Sequence, residues 1–271
     1  VLITVEAARV VLWDLTQAGA PMWMVFTKGG DLQLYSGAIT SAAALNGILI
    51  VGENTTGALS VISFASDFGY FRLTTTSRYS AGKISLRNTS NPLIEPGVLV
   101  ALVNRDVNDV AMTVLPNAPV DVATGLPVPT IAVATDGGVS VIKGDGTVVD
   151  LTYTVSSNNQ STLVMFKKSG GLVWGSRVAA GASVYLQELN SIPSADYSSA
   201  PTKFYGDVGQ AGFATFPFLG GSGVGVKKLT PIKDAIAAAY SGVTLLRNNP
   251  GSVASGMVAY ITKDYNTGWM P

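Results

Sequence analysis

The sequence predicts an all-β protein: a β-propeller-like repeat of four-stranded antiparallel sheets, with about five to six blades of which the first is incomplete. Three observations predict it. Short β-branched runs are separated by Asn-Gly, Asp-Gly and Gly-Gly turns along much of the chain, and these dipeptides supply the positive φ values that tight hairpins need. An apolar four-residue strand followed by a strand reading (Leu/Val)-Ser-Val-Ile occurs twice, as "ILIV…LSVI" and "IAVA…VSVI". Matching third strands return at about 45 to 50 residues, or at about 80 where a degenerate unit intervenes, and units of about 40 to 50 residues are the size of four-stranded blades. The whole of 1–271 reads as one such domain. A β-sandwich, or a pair of them, is the alternative that also uses short strands and glycine-rich turns.

Each unit can be followed in order. Residues 8–27, "ARVVLWDLTQAGAPMWMVFT", read as the outer half of a first unit. The chain opens on Val1 in a strand-like pattern without the basic run and cleavage site of a signal peptide, and so reads as a fragment of something longer. Residues 38–73 give a small-residue strand "AITSAAAL", a turn at Asn46-Gly47, "ILIVGE", a polar turn, "ALSVISF", a turn at Asp67 and "YFRL". Small side chains suit a strand crowded at a propeller axis. Residues 82–104, "GKISLRN" with "GVLVALVN", read as a degenerate unit.

The next unit begins with "DVAMTVLP" (109–116) and a proline-rich stretch "NAPVDVATGLPVP" that forbids a central strand and suits an exposed loop. A meander of "PTIAVAT", "VSVIK" and "TVVDLT" follows, joined by Asp136-Gly137-Gly138 and Gly144-Asp145-Gly146. Residues 161–189 repeat the order with Gly170-Gly171 as the turn, and "GVTLLRN" with "GMVAYITKDY" (242–265) is a last unit. Residues 218–229 read as a Gly-rich connection before a short helix near 231–240. For that helix "TPIKDAIAAAY" offers Thr230 as N-cap, Pro231 at the first helical position, Ile232, Ile236 and Ala239 on one face, and Gly242 as a stop. Stacking sheets of this kind around an axis buries apolar faces that a single sheet leaves exposed.

Composition narrows the chemistry. The 271 residues contain no cysteine and no histidine, which removes disulfides, thiolate nucleophiles, Cys-based metal sites and every Ser-His or Cys-His arrangement. Catalysis would rest on lysine, tyrosine or the four glutamates and thirteen aspartates. Seventeen basic residues balance seventeen acidic ones and only 13% of the chain is charged, so no field for gripping a phosphate backbone exists and nucleic acid is not expected as a partner. A mean hydropathy of +0.36 with so sparse a charge suits a protein that sits inside an assembly. No apolar run reaches the roughly 18 to 20 residues that span a bilayer, so no membrane span is expected.

No catalytic, cofactor-binding or metal-binding residue is assigned. Gly221-Ser222-Gly223-Val224-Gly225 lacks the Lys-Ser/Thr pair and the βαβ context of a phosphate loop. Asp67-Phe68-Gly69 copies a kinase motif in letters without its companion loops, and "KGDGT" around Asp145 lacks the alternating acids of a calcium loop. Asp106 and Asp109 beside Arg105, and Asp196 and Asp207 near Tyr197 and Tyr205, are the acids a propeller glycosidase would use. They do not recur at equivalent strand positions, and solvated loop charge is the simpler reading. Asn54, Asn88 and Asn159 begin glycosylation sequons that matter only in a eukaryotic secretory setting. Trp13, Trp23, Trp174 and Phe64 alternate within strands as packing residues. Tyr197, Tyr205, Phe213, Phe216, Tyr265 and Trp269 lie in loops or near the C-terminus. Of these, Tyr197, Tyr205, Tyr265 and Trp269 are the candidates for stacking on a sugar ring or filling a partner's groove, against a reading as local loop packing.

The stretches "VNDVAMTVLPNAPVDVATGLPVPTIAVATDGGVSVIKGDGTVVDLT" (107–152) and "GMVAYITKDYNTGWM" (256–270) resemble large virion proteins of marine tailed bacteriophages. The resemblance implies a propeller-like region followed by lectin-like or carbohydrate-binding modules, in a tail-associated fibre, spike or adaptor component. It implies a virion location, several copies as a homo-oligomer, other tail proteins as partners and a host surface glycan as a target. It carries over no catalytic residue and no cofactor. The expected function is therefore a non-enzymatic structural component of a phage tail that serves assembly and host attachment. The alternatives are a propeller glycosidase acting on host polysaccharide and a cellular scaffold that binds peptides.

Overall fold

The computed structural model describes residues 1–29, 34–54, 59–74, 77–89, 94–98, 100–153, 159–177, 184–206, 214–215, 228–232, 235–239, 242–247 and 257–262. The chain divides into two compact units, 1–136 with 140–150 and 137–139 with 151–271. In the first, β1 (Leu2–Glu6), β2 (Arg9–Trp13) and β3 (Met22–Thr27) form a three-stranded sheet. A six-stranded sheet follows from β4 (Ala38–Leu45), β5 (Ile48–Asn54), β6 (Leu59–Ser63), β7 (Phe68–Arg72), β8 (Ser77–Gly82) and β9 (Ile94–Val98). The third sheet, most of whose residues belong to this unit, is four-stranded: β10 (Val107–Thr113), β11 (Thr130–Thr135), β12 (Gly138–Ile142) and β13 (Val148–Leu151).

The second unit holds a five-stranded sheet of β14 (Ser161–Phe166), β15 (Leu172–Arg177), β16 (Val184–Leu189), β17 (Lys203–Gly206) and β18 (Ala214–Thr215). Its other sheet is four-stranded: β19 (Lys228–Ile232), β20 (Ala235–Ala239), β21 (Gly242–Arg247) and β22 (Met257–Thr262). In all five sheets the strands lie in sequence order. The first strands adjoin one another, β1 beside β4 and β4 beside β10 in the first unit, and β14 beside β19 in the second. This is a β-propeller-like fold.

Turn chemistry produces the meanders. Asn46 and Gly47 both take positive φ, 50° and 76°, which closes β4 onto β5 through two residues. The turns after Lys143 and Lys167 share one pattern: Lys143 N–H donates to Thr147 O at 2.8 Å and Gly146 N–H to Lys143 O at 2.9 Å. Lys167 N–H donates to Gly171 O at 2.8 Å and Gly170 N–H to Lys167 O at 3.0 Å.

Two expectations are corrected. The helix near 231–240 is replaced by the hairpin of β19 and β20, in which Pro231 faces Ile236 and Ala237 faces Thr230. The N-cap and proline signals were local, whereas pairing of β20 with "GVTLLR" of β21 satisfies the same backbone groups across strands. Pro231 is tolerated because β19 is an edge strand. The degenerate unit at 82–104 is no separate sheet. Residues 84–86 form a 3₁₀ turn, and β8 and β9 extend the second sheet outward. Of the Gly-rich connection, 218–227 lies outside the described residues, and 228–229 open β19.

Both faces of the second sheet are apolar and both are covered. Leu49 and Val51 of β5 and Ile62 of β6 pack with Val10, Leu12 and Phe26 of the first sheet. The alternate residues, Ile50, Leu59 and Val61, pack with Val107, Val110, Ile131, Val133 and Ile142 of the third. The period of two along each strand thus sends successive side chains to opposite neighbours, each burial contributing about 1.5 to 3 kcal/mol. Close approach is secured at Gly52, where an added Cβ would lie 2.5 Å from Val107 Cγ1 and 3.1 Å from Val110 Cγ1. Beside it Thr40 Oγ1–H lies 3.0 Å from Gly52 O and 2.9 Å from Val107 O.

The first strands carry matching irregularities. Register shifts fall between Ile39 and Ser41 in β4, Val107 and Asp109 in β10, and Ser161 and Leu163 in β14. The extra residues are Thr40, Asn108 and Thr162, and such bulges add local twist to strands that must turn tightly. Replacing Gly52 with Ala is expected to destabilise by about 1 to 3 kcal/mol, because β-branched Val107 cannot yield without moving β10. Gly47→Ala has nothing within 4 Å of its Cβ, so its cost is backbone strain alone, about 1 kcal/mol. Urea unfolding of the two variants checks the order.

Candidate interaction surface

Asp109 on β10 accepts a hydrogen bond from Ser41 Oγ at 2.7 Å, tying β10 to β4. The Asp106 N–H donates to Asn104 Oδ1 at 2.8 Å within a turn, and Asp196 lies exposed in the loop after β16. Tyr197 is half-buried; its hydroxyl donates to Ala200 O at 2.7 Å, and its backbone bridges Leu151. Tyr205 lies on β17, paired with Leu186. Asp207, Phe213, Phe216, Tyr265 and Trp269 lie outside the described residues. Among the described residues no group of three acids is placed to hold a metal ion, and no helix is long and apolar enough to cross a membrane.

Buried polar ties recur where the repeated strand motif places its serine. Ser60 in "LSVI" and Ser140 in "VSVI" are both fully buried. Ser60 Oγ donates to Glu53 Oε1 at 2.6 Å and accepts from Tyr35 N–H at 3.2 Å. Ser140 Oγ donates to Asp150 Oδ1 at 2.6 Å and accepts from Val103 N–H at 2.9 Å. In each case the segment leading into a first strand, β4 or β10, is fastened to the third strand of the same sheet. Glu53 also accepts from Tyr35 N–H at 3.0 Å and Gly37 N–H at 3.1 Å. Burial pushes its carboxyl up from 4.5 to about 7, against the pull of these donors and of Lys28.

Exposed apolar side chains concentrate at one end of the first unit. Val1, Leu2, Leu15, Met22 and Trp23 lie where β1 begins and β2 turns into β3; Val114, Val120, Val122 and Leu126 lie on the loop from β10 to β11. The same end carries the β4–β5 and β6–β7 turns, joined by Phe64 N–H donating to Gly47 O at 2.9 Å. Of the large apolar residues exposed among those described, three lie elsewhere: Val5, Leu86 and Val100. An apolar hollow of about 360 Å³ opens here, lined by Val1, Ile3, Leu12, Trp23, Leu45 and Phe64 among others. Trp23 is 52% exposed rather than packed away, because the register shift that pairs Leu12 with Met24 and Trp13 with Met22 leaves it as the bulged residue. It stacks on Phe64 at 5.9 Å.

Beside the hollow stands a finger, residues 116–128. Its base is bridged at Val120 and Pro127 and closed by Val128 N–H donating to Pro119 O at 2.7 Å. Asp121 fastens its tip, accepting from Ala123 N–H at 3.0 Å and Thr124 Oγ1 at 3.0 Å. Asn46 Nδ2 donates to Pro127 O at 2.8 Å, and a Cβ on Gly144 would meet Pro119 Cδ at 3.0 Å, so both neighbouring turns brace it. Val122 at the tip is 99% exposed.

Acids at this end accept hydrogen bonds, Asp14, Asp121 and Asp145 within their own turns and Asp67 from the 3₁₀ turn. Bonds from Thr16, its hydroxyl first, and from Gln17 hold the Asp14 carboxyl below its usual range; Thr147 does the same for Asp145. Asp67 accepts from Ile84 N–H at 3.1 Å. Sequence reasoning placed the turn at Asp145 but not the one at Asp14, and did not see that Asp-x-Thr, at 14–16 and 145–147, meets the hydrogen-bonding demand of each acid.

No family model and no curated protein matches the chain by sequence. Among solved structures it is similar to a chain of the ctPRC2 complex, with TM-score 0.51 and 11% identity over 91% of this chain, which spans 45% of that one. It is also similar to the RRP9 WD40 repeats, with TM-score 0.47 and 10% identity over 94% of this chain and 75% of that one. A chain of polycomb repressive complex 2 in its basal state gives TM-score 0.48 and 10% identity over 91% of this chain and 45% of that one. At such identities the likeness concerns the fold alone.

Two outcomes follow from this geometry. The folded state holds the Glu53 proton more tightly than the unfolded chain does, so its contribution to stability is greatest below pH 4.5 and is lost as pH rises to about 7. Urea unfolding of wild type and Glu53→Gln across that range is expected to show the wild-type advantage shrinking by about 3 kcal/mol. Asp121→Ala removes the two bonds at the fingertip, and limited proteolysis is expected to cut faster within 117–127 while the melting temperature of the whole stays put.

Proposed function

We propose that this chain is a non-enzymatic structural component of a bacteriophage tail, a rigid platform for tail assembly and host attachment. The observation that carries the reading is the apolar end of the first unit, where Asp14, Asp67, Asp121 and Asp145 all accept hydrogen bonds from the chain itself. A surface of this kind is costly to leave in water and suits a subunit buried against others. The stretch that resembles phage virion proteins, 107–152, includes the braced finger at that end. Of the four acids of the glycosidase alternative, Asp109 has other work in the described structure, tying β10 to β4. In this reading the chain resides in the virion in several copies, with other tail proteins as partners. A host surface glycan is a further proposed partner, met by stacking on Tyr197, Tyr205, Tyr265 or Trp269.

Quantitative mass spectrometry of purified particles tests the proposal. The expected result is this polypeptide at a copy number commensurate with the symmetry of the tail. Particles that infect normally and lack it would overturn the reading.

A further inference from the structure

We infer that the Asn88 side chain stands in for a residue of a fourth strand on the first sheet, and that it keeps the open edge of β3 from pairing with the same edge of another copy. This goes beyond a role in a phage tail and stands without it.

The geometry of one contact carries it. β3 is the edge of the three-stranded sheet, with β2 on its other side. The Thr27 N–H donates to Asn88 Oδ1 at 2.7 Å, and Asn88 Nδ2 donates to Val25 O at 2.9 Å. A single side-chain amide thus accepts from the residue after Phe26 and donates to the residue before it. A backbone residue of a parallel strand, set opposite Phe26, would bond the same two groups, whereas an antiparallel partner exchanges both bonds with one residue. Thr27 Oγ1 adds a third bond to Asn88 Oδ1, at 2.9 Å. Just past β3, Leu34 bridges Lys28 in parallel and accepts from Gly29 N–H at 3.1 Å. Asn88 and Leu34 therefore stand opposite Phe26 and Lys28, alternate positions along one parallel line.

The amide is held from behind. Asn88 leaves the 3₁₀ turn with φ of 62°. Within that turn Ile84 is buried beside Val10, Leu12 and Phe26, its N–H donates to Asp67, and its carbonyl accepts from Arg87 N–H at 3.0 Å. Two other sheets close the edge farthest from their first strand with backbone in the same sense. Leu151 of β13 bridges Tyr197 in parallel, and β18 pairs with β17 in parallel. What Asn88 restrains is β3 itself. Its sequence, MWMVFT, has no charge and no proline, the composition of a strand that adds to others when its edge is open. In a solution of the pure chain the partner at hand is the β3 edge of a second copy, and two identical edges can pair about a two-fold axis.

Asn88→Gly tests the inference, because glycine adopts a φ of 62° without strain and only the amide is lost. At dilution the Thr27 amide of the variant is expected to exchange about fivefold faster than in wild type, as loss of one net hydrogen bond implies. At rising concentration the variant is expected to form species that sediment faster than wild type does at the same concentration, with the Thr27 amide protected again. A folded variant that sediments as wild type throughout overturns the inference, and so does association that leaves Thr27 as exchangeable as at dilution. Wild type supplies an arm that does not depend on the variant folding. Its Thr27 amide, although on an edge strand, is expected to exchange far more slowly than in an unfolded chain, and exchange at the unfolded rate overturns the inference as well.

Discussion

The structure of the first unit depends on one constraint: a strand whose side chains alternate between two apolar faces cannot be stable until both faces are covered. In the second sheet β5 and β6 present Leu49, Val51 and Ile62 to one neighbour and Ile50, Leu59 and Val61 to the other. Neither neighbour alone satisfies the sheet, and so the unit cannot be smaller than three sheets. The close approach at Gly52, the bulges at Thr40 and Asn108, and the serines that fasten the lead-in segments all serve the same end. They bring backbones near enough for aliphatic side chains to exclude water.

That constraint also locates the exposed apolar surface. Coverage works for the middle of each strand, while residues at the strand ends and in the connecting loops have no sheet above them. At one end of the first unit these positions are filled with Val, Leu, Met and Trp, and the polar side chains there are consumed by the turns. The end is thus organised backbone carrying apolar tips, an arrangement suited to meeting another protein surface.

Much of this was legible in the sequence because it rests on local chemistry. Asn46-Gly47 and Gly144-Asp145-Gly146 close hairpins where their dipeptides say they do, and the shared Ser-Val-Ile run marks equivalent strands with equivalent buried serines. The failures have a common cause, competition between local preference and pairing at a distance. "TPIKDAIAAAY" carries helix signals but is drawn into a sheet by β21, and "GKISLRN" was read as a unit although its 3₁₀ turn links β8 and β9. At the candidate surface the sequence marked the proline-rich loop as exposed, yet not that Asp121 and Asn46 make it a braced finger. Trp23 looked like a packing residue because a bulge that shifts register by one cannot be seen in an alternating pattern. Glu53 gave no signal at all, since its significance comes from Tyr35, Gly37 and Ser60 converging on it through the fold.

Native-state hydrogen exchange at increasing denaturant tests the mutual covering most directly. If the second sheet depends on both neighbours, the amides of β2, β5, β6, β10 and β11 converge on one opening reaction with a shared free energy and a shared denaturant dependence. Exchange of β5 and β6 that remains slow while the amides of β2 or of β10 and β11 open separately would contradict the account.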